Sequence, residues 1–443
     1  MTLKVVFFED DSYSQFYPLT YLRPVYNLRA GITPLVERVR RYFGDVEIAL
    51  TAREQVAPLV TEASSDYPVN ILKKPDGAVL FLNGRVRDYG DLPDLVKGAR
   101  VSTIFRNGDE TVAVYLDRVL LEKAPSVGTQ VEYQDVFNQQ THLLASAETR
   151  ATLYNYCWEI MADIEKEIEA DFEYLKPEVM SAASQSVPAG VNVVCPERIH
   201  VGQATLLRPG AILDASEGPI FIGNSCRIDA QAAIYGPCYI GDYSVVVAGK
   251  IVGSSIGSTC RVGGEIEESI FHSYVNKYHA GFIGHSYVGP WVNFGAMTTN
   301  SDLKNNYSPI RAQLNGKEID TGSIKVGSFI GDHSKFGIGT LLNTGINIGL
   351  CCNIFGGTLV TDKEVPSFRW GSSGGWAEYQ IEKAIKTARL AMERRQQPLS
   401  DRQETVLREV AQGNLSSDGI LNFEPTNEDK PDDAVAVESS EEG

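Results

Sequence analysis

The stretch IGNSCRIDAQAAIYGPCYIGDYSVVVAGKIV, residues 222–252, places an aliphatic residue at every sixth position: Ile222, Ile228, Ile234, Ile240, Val246 and Val252. A second stretch, IGDHSKFGIGTLLNTGINIGLCCNIFGGTLV, residues 330–360, does so again with Ile330, Phe336, Leu342, Ile348, Ile354 and Val360. An α-helix repeats every 3.6 residues and a strand every two, so neither explains a period of six. A parallel β-helix does, because each repeat is then one short strand plus one corner. The aliphatic side chain points inward and stacks on its counterpart in the next coil. Glycine follows several of these positions directly, at Gly223, Gly241, Gly253, Gly331 and Gly349, and eases the corner.

Outside the repeats the chain reads as an ordinary globular protein. It has 443 residues, 43% hydrophobic and 22% charged, enough for two or three domains. No apolar stretch approaches the ~20 residues that span a bilayer. MTLKVVFFEDD at the N-terminus reads as a first strand and not as a signal peptide. Seven cysteines without CxxC spacing argue against a disulfide framework or a zinc site, and a reducing cytoplasm is the expected location. The net charge of −17 includes −8 from Asp418–Glu442, and it speaks against a nucleic-acid binder.

The expected organisation has five parts. Residues 1–145 form an α/β domain, with strands at 3–8, 46–50, 78–82 and 111–117 and helical spacing over 32–43. Residues 146–186 form a connecting helix with Leu153, Tyr156, Ile160, Ile164, Ile168 and Phe172 on one face. The β-helix occupies 187–370, interrupted by a loop at Asn300–Gly322 whose Asn315-Gly316 is a turn signal. Such a loop is expected on the binding face. Helices over 371–414 are expected to cap the open end of the solenoid, and Ser400 with Gln403 makes a capping-box pattern. Residues 415–443 lack apolar periodicity and are expected to be disordered.

Chemistry gathers in 263–307, which holds His272, His279 and His285 together with Lys277, Asn293 and Lys304. A β-helix core needs none of these. His279, in NKYHAGFIG, falls where the six-residue phase slips, so a corner position is expected. An imidazole there suits general-base work on an amine or hydroxyl. It equally suits a hydrogen-bonded surface residue.

This segment resembles the acetyltransferase domain of the bifunctional GlmU family, UDP-N-acetylglucosamine pyrophosphorylases and glucosamine-1-phosphate N-acetyltransferases. His279 lies five residues before Gly284, and VNFGAMT begins at Val292, as in the family pattern. The resemblance covers roughly 187–370. It implies a left-handed β-helix, a homotrimer, and acetyl-CoA as co-substrate. It also implies His279 as catalytic base, Asn293 as a substrate contact, and Ala296 where backbone meets the thioester. Phe282 replaces a family Tyr. Glu267 replaces a family Lys for the substrate phosphate, so Lys250, Lys277 and Lys304 are the candidate replacements.

The stretch FYPLTYLRPVYNLRAGI, 16–32, resembles an alternative GlmU-like type with a short nucleotidyltransferase-like first domain. The usual glycine loop that cradles nucleotide phosphates is absent, and FFEDDSYSQFYPL stands in its place. The resemblance places Arg23 and Arg29 as nucleotide contacts, with UTP as substrate and Mg²⁺ as cofactor if this domain is active. Its metal ligands are unknown, because the candidate turn reads Asn83-Gly84-Arg85.

The leading expectation is acetyl transfer to an amino sugar phosphate, with uridylyl transfer to the product as the companion reaction. Two alternatives stand beside it. A γ-type carbonic anhydrase would use His272, His279 and His285 as zinc ligands. A non-catalytic sugar-nucleotide-binding or assembly protein would use the same scaffold.

Overall fold

The hexad residues do line a solenoid. A computed structural model describes residues 3–64, 66–73, 77–123, 126–127, 130–131, 144–181 and 187–415. From residue 192 to 371 short parallel strands wind as a β-helix of the left-handed type, three corners to a coil. One inward column runs Val201, Ile222, Ile240, Ile256, Phe271, Val288, Ile330, Ile348 and Val365. All nine side chains are buried. Each stabilises the coil by about 1.5–3 kcal/mol relative to an exposed position.

The period is not uniform. Ile222, Ile228, Ile234, Ile240 and Val246 point inward, but Val252 turns out and Ile251 takes its place. The corner residues Ser225 and Tyr243 stand 18 apart, whereas Thr259 and Tyr274 stand only 15 apart, all at left-handed φ. Such φ costs a non-glycine residue roughly 1–2 kcal/mol. Coil-to-coil hydrogen bonds hold it, as from Tyr274 N to Ser258 O at 3.0 Å and from His333 N to Pro290 O at 3.0 Å.

Two inward positions are polar. Lys277 follows Val262 in its column, one residue after an Asn276–Asn293 pairing that sets Phe294 above it. Asn300 occupies the column of Ile283 and Leu342. Its amide accepts from Gly284 N at 2.8 Å and donates to Gly284 O at 2.9 Å, which satisfies it in the core.

The N-terminal domain is a six-stranded sheet. With β1 Lys4–Phe8, β2 Glu47–Leu50, β3 Val79–Asn83, β4 Thr103–Asn107, β5 Glu110–Leu116 and β6 Ala145–Glu148, the order is β6-β4-β5-β3-β1-β2. The expected helix over 146–186 begins late. Ala145–Glu148 and Thr152–Leu153 are strands, because Asp91 ties Thr149 Oγ1 and Arg150 N into a turn at 2.8 Å each. Helix follows at Cys157–Ala162 and then at Ile164–Ser181, α2; the earlier helix Ala57–Ala63 is α1.

The residues 16–32 weld the two domains. Phe16, Leu19, Val25 and Leu28 share a core with Ile160, Ile168 and the outward-facing Ile270, Tyr287 and Phe329 of the solenoid. The interrupting loop joins the same core. Its hairpin, Arg311–Leu314 with Lys317–Asp320, turns at Asn315-Gly316 and buries Ile310, Ala312 and Leu314 there.

The C-terminal helices α3 Ile381–Glu393 and α4 Asp401–Gln412 do not cap the open end. They lie along the flank, where Ala384, Leu407 and Val410 pack on Leu350, Cys351, Phe368 and Leu59 of α1. The hairpin over 369–378 closes the end instead, with Trp376 against the core. The capping box of Ser400 and Gln403 is present. The tail expected to be disordered lies, from 416 on, outside the described residues. No helix among the described residues is long and apolar enough to cross a membrane.

Candidate functional site

His279 sits at a solvent-facing corner, as its broken phase predicts. Its coil turns through Gly281 at φ +127°, where a Cβ would fall 2.2 Å from Thr298 O. The corner stacks under the next coil through Met297 N to Ala280 O, 2.8 Å, and that coil stacks in turn through Gly339 N to Ala296 O, 2.8 Å. His279–Ala280 and Ala296–Met297 therefore lie on adjacent coils of one corner. His279 and Ala280 are exposed, and so are Met297 (57%) and Ile338 (76%).

The candidate lysines separate. Lys277 was expected to offer its ammonium to a substrate phosphate, and the fold corrects this. Its side chain is buried at 1% exposure, and Nζ donates to Gly263 O at 3.0 Å and His279 O at 2.7 Å. Burial pulls its pKa down to about 8. It holds the corner from inside. Lys250 is half exposed and lies 3.9 Å from Glu265. Lys304 donates to Pro309 O at 2.8 Å on the exposed loop. Glu267, the residue of wrong sign, lies 3.7 Å from Lys325, a cation the sequence reading did not pick. Asn293 faces outward and accepts from Asn276 Nδ2 at 2.8 Å. It stands above Asn276, three residues before His279, so roughly 10 Å of strand separates the two positions.

The three histidines do not converge. His272 is half-buried against the N-terminal domain, with Nε2 3.3 Å from Asn27 O. Burial, then Arg23 and Arg29, hold its pKa well below the ordinary value. His285 lies at another corner, φ +46°, with Nδ1 2.7 Å from Asp302 and Nε2 3.2 Å from Glu268. Burial opposes its charge, but these two carboxylates outweigh it and raise the pKa to about 9. A ring charged at neutral pH is a poor base. Among the described residues of the chain no group of His, Cys, Asp and Glu is arranged to hold a metal.

In the N-terminal domain Glu9 and Asp10, which follow β1, are occupied. Glu9 is buried, accepting from Arg53 Nε and Val25 N at 3.0 Å each. Asp10 caps Ser12 N at 3.1 Å and takes a bidentate bond from Arg85, 2.7 Å at the shorter contact. Asn83 Nδ2 donates to the same carboxylate at 2.8 Å. These residues do not fit a Mg²⁺ site, since their carboxylates are already matched by guanidiniums. Arg23 is committed too: it forms a bidentate ion pair with Asp332 of the solenoid and donates to Leu19 O at 2.7 Å. Arg29 lies over the Tyr239 ring, 5.1 Å from its centroid, and donates to Ile32 O. Both arginines thus serve the domain junction.

Residues 5–178 match the family model described as sugar nucleotidyl transferase. A bifunctional sugar-1-phosphate nucleotidylyltransferase/acetyltransferase of Sulfurisphaera tokodaii is 30% identical over 122 residues, 28% of each chain. Over these segments the chain is similar to bifunctional GlmU-type proteins. The bifunctional protein GlmU of Methanocaldococcus jannaschii is 28% identical over 133 residues, 30% of each chain, and that of Synechococcus elongatus 27% identical over 201 residues, 40% of each. The chain thus covers 28–40% of the length of these relatives. Among solved structures, the UDP-N-acetylglucosamine acyltransferase from Campylobacter jejuni aligns at 12% identity and TM-score 0.24, covering 51% of this chain and 93% of its own.

Proposed function

We propose that this GlmU-like chain is an acyltransferase that moves the acetyl group of acetyl-CoA to the amine of an amino sugar phosphate, glucosamine 1-phosphate in the first instance. The observation that carries the reading is the exposed imidazole of His279 on a corner stacked against the backbone of Ala296 and Met297. In this account the amine nitrogen attacks the thioester carbonyl while His279 takes its proton. The N–C bond forms, the C–S bond breaks, and the thiolate leaves to be protonated. The backbone N–H of Ala296 would steady the oxyanion. Lys250 or Lys304 would meet the phosphate. The apolar surface beside the site, Met297, Ile338, Leu341 and Leu359, supports a homotrimer with this corner at the subunit boundary. Acetyl transfer to a panel of amino sugar 1-phosphates, read as free thiol, tests the reading.

A second reading concerns the N-terminal domain. Its Glu9–Arg53, Asp10–Arg85 and Arg23–Asp332 pairs favour a structural or sugar-nucleotide-binding role over uridylyl transfer from UTP. Pyrophosphate release with UTP and a sugar 1-phosphate would overturn that preference.

A further inference from the structure

One flank of the solenoid carries an uncompensated positive cluster away from the His279 corner. Along one outward column Arg261 is followed by Asn276, Asn293 and Lys335. The C-terminal end of α3 crosses this column and adds Arg394 and Arg395. Together they line a cavity of about 310 Å³, walled by Tyr274 and Trp291, whose rings stack at 4.1 Å. Among the described residues no carboxylate lies within 4.0 Å of any of the three guanidiniums. This is unusual in a chain of net charge −17.

The electrostatics agree with the geometry. Partial burial lowers the pKa of Arg395, and then Arg261 and Arg394 push it further down. Lys335 Nζ donates to Trp291 O, and burial brings its pKa to about 8. Asn276 spends one amide N–H on Asn293 Oδ1, and the Asn293 amide keeps its own donors for a guest. Like charges held this close cost stability unless an anion sits between them. Guanidiniums match phosphate oxygens in pairs.

We propose that Arg261, Lys335, Arg394 and Arg395 form a binding site for a small phosphate-class polyanion of about pyrophosphate size. The occupant ties the end of α3 to the solenoid flank. This site does not rest on the acyl-transfer reading.

Thermal unfolding of the full chain with inorganic pyrophosphate, against potassium chloride of equal ionic strength, tests it. Wild type should gain about 2–4 °C at saturating pyrophosphate, as a ligand bound only to the folded state requires. The Arg394→Gln/Arg395→Gln variant should lose that gain. Without pyrophosphate it should melt no lower than wild type, because repulsion is relieved. Arg261→Gln should lose the gain independently. No gain in wild type beyond the salt control, or an equal gain in the variants, would overturn the site. So would a lower anion-free melting temperature in both variants, which would mark the arginines as structural.

Discussion

The ammonium of Lys277 donates to the carbonyl oxygen of His279 at 2.7 Å from inside an otherwise apolar column. The corner that presents the imidazole is thus braced by a buried charge. Lys277→Met fills the column but orphans the carbonyls of Gly263 and His279. It should cost roughly 1–3 kcal/mol of stability, measured by urea unfolding, and lower acetyl transfer more than it lowers substrate binding. Unchanged stability and turnover would show that the brace is dispensable.

Arg23 and Asp332 make the corresponding link between domains, with Nη1 3.0 Å from Oδ1. Their side chains are 12% and 4% exposed. Arg23→Ala leaves a buried carboxylate alone and should destabilise the chain by about 3–5 kcal/mol. Arg23→Met with Asp332→Leu should restore most of that. If the single variant is instead fully stable and only loses a UTP-dependent activity, Arg23 is a nucleotide ligand.

His285 should act as a pH-dependent clamp. Its folded pKa, about 9, exceeds the unfolded value of roughly 6.5, so the folded state holds its proton more tightly. The contribution is full below pH 6.5 and is lost as pH rises through 9. The stability difference between wild type and His285→Gln should shrink across that window. A difference constant from pH 6 to 9.5 would contradict the ion pairs.

Acid should act at the domain junction. Burial keeps His272 and His333 neutral in the folded state. Unfolded, both take protons below about pH 6.5, so stability should fall as pH drops through that value. The double variant His272→Gln/His333→Gln should show a shallower fall between pH 6.5 and 5.

How much of this was legible in the sequence follows from where its period held. Ile330 to Val360 obey the count, and every one is buried. The first run fails at Val252 because coils shorten there, and a fixed count cannot see a missing corner residue. Lys277 and Asn300 were read as candidate chemistry or loop because polar residues at inward positions break the pattern. Only their hydrogen bonds to corner carbonyls reveal them as core. The turn at Asn315-Gly316 was legible, but its destination was not. Expected on the binding face, the hairpin folds against its own chain, with Asn315 N and Gly316 N on Glu364 at 2.7 and 2.8 Å. Long-range ion pairs such as Arg23–Asp332 leave no local signature, so Arg23 looked like a free phosphate ligand.

The account stands on His279 as the base. The most direct measurement is acetyl transfer from acetyl-CoA to glucosamine 1-phosphate by wild type, His279→Ala and His285→Gln, with folding checked for each. His279→Ala should lose roughly 10²–10⁴-fold in rate with acetyl-CoA binding little changed, while His285→Gln keeps most activity wherever it remains folded. Wild-type rates in His279→Ala, with activity lost in folded His285→Gln, would contradict it.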